Sequence, residues 1–190
     1  MGLDIHISSN ISDESQFQIH QQFYQPGKLI GLSRTFCNFM SRQNVISGEP
    51  ELDQIGKLTG VDISPLYAME KYWDAESIEM QLRVSRTAEA KTAAEERIRR
   101  DNESLNGNIE RVHETVKSLI AALSKIEDLD SKLQHHEHDT LNSAVYFSDF
   151  NIDKGEGYID NNFGHDLRIF DLYLEALKKV GATTVWFEYG

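Results

Sequence analysis

The chain has 190 residues, 39% of them hydrophobic, and 19 basic against 31 acidic side chains give it a formal charge of −12, which suits a packed core in one domain with an insertion. Residues 135–190 hold ten of the acids against four bases, a surface that repels phosphate backbones, so no nucleic acid is expected as a partner. With no apolar run long enough for a bilayer, no basic and apolar zones of a signal peptide at the start, and Cys37 as the single cysteine, the expected setting is a reducing cytoplasm away from membranes.

In chain order, Leu3, Ile5 and Ile7 alternate with Asp4, His6 and Ser8, predicting a strand buried on one face. Phe17, Ile19 and Phe23 fall at even spacing before Pro26 and Gly27, which predicts a second strand ending in a turn. Ser33 is placed to cap a short helix carrying Phe36 and Met40, and Glu49 to about Leu58 reads as another short helix closed by Gly60. From Pro65 to about Glu103 there is neither glycine nor proline, so one helix of nearly forty residues is expected.

Beyond it, Leu105, Ile109, Val112, Val116, Leu119, Leu123 and Ile126 recur at alternating spacings of four and three, and the pattern runs on to Leu133. That period draws an apolar seam along one side of a helix, and a seam must be covered by another helix. Asn106, Gly107 and Asn108 favour a bend between the two helical stretches, giving an antiparallel hairpin. The facing stretch offers mainly Ala88, Ala90, Ala93 and Ala94, which bury little area, so the seam is expected to pair with a second copy in a homo-oligomer.

His135, His136, Glu137, His138 and Asp139 form a polar linker, Ala144 to Phe150 reads as a strand, and Asn151 to Asp160 as a loop. Phe163 to Val180 is an amphipathic helix with Phe163, Leu167, Phe170, Leu174 and Leu177 on one stripe, and Thr183 to Tyr189 is a closing strand. The expected fold class is α+β: a small sheet and helices from residues 1–64 and 135–190 form a base, and residues 65–134 an inserted coiled-coil hairpin arm.

Three groups of residues could carry chemistry. If the first and last strands pair, Asp4, His6, Trp186 and Glu188 share a face, where a carboxylate, an imidazole and an indole would suit a small ligand; the plain alternative is the solvent face of a half-buried sheet. Asp149, Asn151, Asp153, Glu156 and Asp160 offer oxygen ligands for a divalent cation. Their loop resembles the calcium loop of the EF-hand family through Gly155-Glu156-Gly157-Tyr158-Ile159-Asp160, but Lys154 stands where the sharp turn wants glycine, and the preferred reading is a glycine-rich turn feeding a helix. The histidine cluster lacks the one-turn spacing of a helical zinc motif and reads as surface linker. Cys37, among Phe36, Phe39 and Met40, reads as a buried structural thiol.

No Walker-type phosphate loop, nucleophile elbow or dinucleotide fingerprint is present. The opening Met1-Gly2-Leu3-Asp4-Ile5 resembles that of small proteins from bacteria and their phages without an assigned activity, a resemblance that implies no more than an accessory role. The expectation is a non-enzymatic, self-associating protein whose arms assemble the oligomer and whose base binds a partner protein or small molecule. A metal-dependent hydrolase of phosphorylated small molecules and an acidic mimic of nucleic acid are the alternatives.

Overall fold

The alternation of Ile5 and Ile7 with polar neighbours does produce a strand, β1 (Ile5–Ser9), and it pairs antiparallel with the last element, β4 (Val185–Tyr189). The structure, a computed structural model, describes residues 4–25, 28–41, 46, 48–135 and 143–189. It is a mixture of helix and a small two-stranded antiparallel sheet made by the two chain ends, with 61% of residues helical. In the register, His6 faces Glu188 and Ser8 faces Trp186, while Ile5, Ile7, Val185 and Phe187 turn to the core. A second, minimal pairing joins β2 (Tyr24–Gln25) to β3 (Lys28–Leu29).

Between the strands, α1 (Asp13–Gln22) is capped by Ser12, whose hydroxyl accepts from the Ser15 amide. This corrects the strand expected there: Ile19 is buried whereas Phe17 is 60% exposed, so two residues two apart point to opposite sides as a helix requires. Ser33 caps α2 (Arg34–Met40) as expected, and α3 (Glu51–Thr59) ends at Gly60 with φ +71°, the left-handed conformation that glycine adopts freely.

The long helix is broken twice. After α4 (Ser64–Ala68) and a 3-10 turn at Met69–Lys71, the backbone is extended at Tyr72, and α5 (Ala75–Val84) starts afresh from Asp74. Ser85 is extended again, and Thr87 caps α6 (Ala88–Ser104) through a bond from the Ala90 amide. Capping carboxylate and hydroxyl groups thus compete with helix continuation without any glycine or proline. The helices that pack across a short link are α5 and α6, joined by Ser85, Arg86 and Thr87.

The chain does bend at Gly107, with φ +68°, before α7 (Ile109–Leu123), but α7 does not form an arm with α6. It makes the most extensive helix–helix contact of the fold with α9 (Phe163–Lys179) and packs also on α4 and α3. Val112, Val116, Leu119 and Leu123 are wholly buried within the single chain, Leu105 and Ile109 nearly so, and Ile126 is packed on the same core. The seam is therefore the centre of the core, and its burial needs no second copy. Past α7 the seam continues only as a 3-10 turn, Leu129–Lys132.

Ala144 to Phe150, expected as a strand, is instead the short helix α8 (Ser143–Phe147) and a turn, with Tyr146, Phe147 and Phe150 in a cluster of rings with Phe39 and Phe163. α9 buries the predicted stripe of Phe163, Leu167, Phe170, Leu174 and Leu177, and Lys178 and Lys179 lie in its last turn, where positive charge suits the helix dipole. Gly164, at its start, lies so close to the Phe150 carbonyl that a Cβ there would sit 1.9 Å from the oxygen. Gly164→Ala is therefore expected to destabilise by about 1–3 kcal/mol, despite alanine's higher helix propensity, as measured by urea unfolding.

A buried polar node ties these parts together. Asp166, fully buried in the first turn of α9, accepts from the Ser33 amide (2.9 Å), the Ser33 hydroxyl (2.6 Å), the Tyr146 hydroxyl (2.9 Å) and the Asn161 amide (2.9 Å). Burial pushes its carboxyl pKa up and these donors pull it down. Four donors converge on it, the arrangement that suits an ionised, acceptor-only carboxylate.

Candidate ligand cleft

The two breaks in the expected long helix create a concavity beside β4. Because the backbone turns at Tyr72, the 3-10 turn packs on β4 and the following link runs along α6. Asn102 on α6 fixes that link at both sides of one residue, accepting from the Trp73 amide (2.9 Å) and donating to its carbonyl (3.2 Å). The result is an open cleft of about 500 Å³ lined by Tyr67, Glu70, Lys71, Tyr72, Trp73, Asp74, Ser77, Arg97, Asp101, Phe187, Glu188 and Tyr189. Its size falls among small-molecule sites, as does its mixture of aromatic surface with a few placed polar groups.

The rings are held rigidly. Trp73 donates its indole N–H to Asp101 (3.1 Å), and the Arg97 guanidinium lies 5.3 Å from its ring centroid. Tyr72 stacks on Trp186 at 4.0 Å between centroids and 15° between planes. Of the chain's two tryptophans, Trp73 lines the cleft and Trp186 backs its wall by stacking on Tyr72.

The carboxylates differ in how they are used. Asp74 caps α5 by accepting from the Ser77 amide, Asp101 holds the Trp73 indole and pairs with Arg97, and Glu188 accepts from the Ser8 hydroxyl at 2.6 Å. Glu70 accepts only from the Tyr189 hydroxyl, at 2.8 Å, among the bonds seen in the described residues. Burial raises the Glu70 pKa, the phenol bond opposing it, and burial together with Glu70 pushes the Tyr189 phenol up. Neither Glu70 nor Glu188 has an ion-pair partner among the described residues.

Of the four face residues named from the sequence, the structure brings Glu188 to the lining of this cleft, sets Trp186 behind it against Tyr72, and leaves Asp4 and His6 outside it. Asp4 pairs with Arg34 at 2.7 Å, and the Arg34 and Tyr158 side chains hold its pKa down. His6 lines a separate hollow of about 80 Å³ with His20, Tyr158 and Tyr173. The His20 ring bonds to the Tyr173 hydroxyl (3.1 Å) and Gln16 (3.2 Å), and burial, then the neighbouring His6, lowers its pKa below the usual 6.5. A histidine harder to protonate when folded binds more protons unfolded, so its contribution to stability is lost as pH falls through 6.5 towards the lower folded value. The midpoint of urea unfolding is expected to drop more between pH 8 and pH 5 for the native chain than for His20→Gln.

The acidic loop does not assemble a cation site. Lys154 pairs with Asp149, Arg168 donates to Asp153 at 2.6 Å, and the Asn151 amide donates to the Ser124 carbonyl. Two of the five residues named as oxygen ligands, Asp149 and Asp153, are thus paired with the chain's own cations, and Glu156 and Asp160 join no cluster of metal-ligating groups among the described residues. The loop is closed by Asn162, which caps α9 by accepting from the His165 amide, and by Asn161, which accepts from the Gly157 amide. In the histidine cluster, His135 bonds to the Asp130 carbonyl, and residues 136–139 lie outside the described residues. Cys37 is buried as expected, its thiol pushed up to about 12 by burial.

One group of ligating atoms arises that spacing in sequence did not disclose: His113 on α7 meets Asp171 and Glu175 on α9, with one atom of each within 4.8 Å of the others. Lys178 lies 3.3 Å from His113 Nδ1 and 2.6 Å from Glu110, and His113 Nε2 lies 2.8 Å from Asp171. With the ammonium donating to Nδ1, the proton belongs on Nε2 and is given to Asp171. A metal on Nε2 would instead require an acceptor beside Nδ1, so the group works as an ionic clasp between α7 and α9.

No protein-family model matches the chain, and no curated protein and no solved structure is significantly similar to it. What fold and site define is therefore a class: a small mixed α and β protein with an aromatic, acidic cleft at the edge of its terminal strand pair. Among the described residues, no helix is long and apolar enough to cross a membrane.

Proposed function

We propose that this chain is a non-enzymatic, cytoplasmic binding protein whose cleft beside β4 takes a small molecule. The observation that carries this reading is the convergence of Trp73, three tyrosines and two carboxylates that have no ion-pair partner among the described residues on one concavity of about 500 Å³, with Trp186 stacked behind Tyr72. Rigid rings supply apolar contact at little entropic cost, and the carboxylates set orientation. Self-association through the α7 seam is not part of this reading, because α9 covers that seam. A metal-dependent hydrolase finds no support in the acidic loop, whose acids are held by Lys154 and Arg168.

The test is intrinsic fluorescence, because Trp73 lines the cleft and Trp186 stacks on Tyr72 of its wall. Titrating the protein with a panel of anionic, neutral and cationic small metabolites is expected to give at least one saturable change, abolished in Trp73→Ala. A panel without any saturable response, in a protein folded by circular dichroism, contradicts the reading.

A further inference from the structure

We propose, resting on the cleft reading above, that its ligand is a small organic cation bearing a guanidinium or alkylammonium group, and that the guanidinium of Arg97 stands where part of that cation would bind. Three observations lead there.

The first is charge. The cleft wall carries four carboxylates, Glu70, Asp74, Asp101 and Glu188, against two cations, Lys71 and Arg97. Asp74 and Asp101 are engaged by a helix cap and by an indole with a guanidinium, which leaves Glu70 and Glu188 facing the cleft without an ion-pair partner among the described residues. A half-buried carboxylate held by one phenol is stabilised by a cation brought to it, because a charge pair strengthens as water is excluded.

The second is the aromatic surface. Ring faces attract cations through their quadrupole and give anions no such gain. Tyr189 is bonded to Glu70 and Trp73 lines the same cleft, so one ligand can place its charge on the carboxylate and its flank on a ring.

The third is Arg97 itself. Its side chain is 62% exposed, yet it lies over the Trp73 ring and reaches Asp101 at 3.5 Å, showing that this indole with this carboxylate accepts a guanidinium. The arrangement is loose enough to be displaced, since an exposed ion pair of this length contributes little. An incoming cation competes with Arg97 for the Trp73 face.

Agmatine, which carries a guanidinium and an ammonium, is the probe, with glutarate as an anion of similar length and an Arg-containing tripeptide as a second source of the same group. Binding is read by tryptophan fluorescence and by calorimetry. Agmatine is expected to saturate and glutarate to give no response. Glu70→Gln is expected to weaken agmatine binding by about tenfold or more. Arg97→Ala, on an exposed helix face where the fold is not at risk, is expected to tighten it by about two- to fivefold. Tighter binding of the tripeptide than of agmatine would overturn the small-molecule part of the proposal. An unchanged or weakened affinity in Arg97→Ala would overturn the role given to Arg97. If an anionic or neutral compound saturates the fluorescence signal while agmatine does not, the binding-protein reading stands and this inference falls.

Discussion

Asp166→Ala is expected to destabilise the protein by about 3–5 kcal/mol, read as the shift in urea midpoint at neutral pH by circular dichroism. The substitution removes one acceptor and strands four donors: the Ser33 amide and hydroxyl, the Tyr146 hydroxyl and the Asn161 amide. Removing a buried charge recovers its desolvation, which keeps the loss below the sum of four charge-assisted bonds. Asp166→Asn preserves shape but turns an amide N–H₂ towards donors, and it is expected to lose most of the same stability. The effect spreads beyond α9, because Ser33 caps α2 and Asn161 closes the loop before α9. A loss under about 1 kcal/mol would mean that these donors find water or other partners, and that the node is not what joins the elements.

The second large effect is at Leu119, wholly buried on α7, which packs on α9, α4 and α3. Leu119→Ala is expected to lose about 2–5 kcal/mol, through lost apolar transfer and the cavity left behind. Leu119→Asp places an unpaired charge in the same position and is expected to leave the chain unfolded. Were the seam a contact between copies, Leu119→Asp would instead yield a folded monomer, which distinguishes the two arrangements directly.

Much of the fold was legible where a local rule and the tertiary structure agree. The terminal strands, the stripe of α9, the Ser33 cap and the Gly60 stop each rest on a single strong signal: alternation, a 3.6-residue period, a side-chain acceptor, a positive φ. Gln16 to Tyr24 failed because Phe17, Ile19 and Phe23 mimic alternation, whereas Ser12 with Asp13 and Glu14 in the first turn is a helix start. The run from Pro65 to Glu103 failed for a related reason. Asp74 and Thr87 were cap residues in plain view, but continuity of helix formers outweighed them, and only docking of the 3-10 turn on β4 decides that the chain turns at Tyr72.

The seam shows a limit of another kind. Its period of 3.5 residues reports that α7 must be covered, and it says nothing about which helix covers it. The partner, α9, starts forty residues after α7 ends and was itself read correctly as amphipathic. One edge of the cleft was visible in the same way, since alternation placed Glu188, with Trp186 beside it, on the outer face of β4. Glu70, Trp73, Arg97 and Asp101 were not, because they meet that face only through two breaks in what reads as one helix.

The central claim is that the apolar stripe of α7 is the inner core of one chain. Urea unfolding of the native protein and of Leu119→Ala, each at about 1 and about 100 µM, tests it most directly, because stability gained from an interface rises with concentration by mass action. Midpoints that do not move with concentration are expected, with a Leu119→Ala loss that is the same at both. A native midpoint that climbs with concentration, and a loss at Leu119 that shrinks as it does, would contradict it.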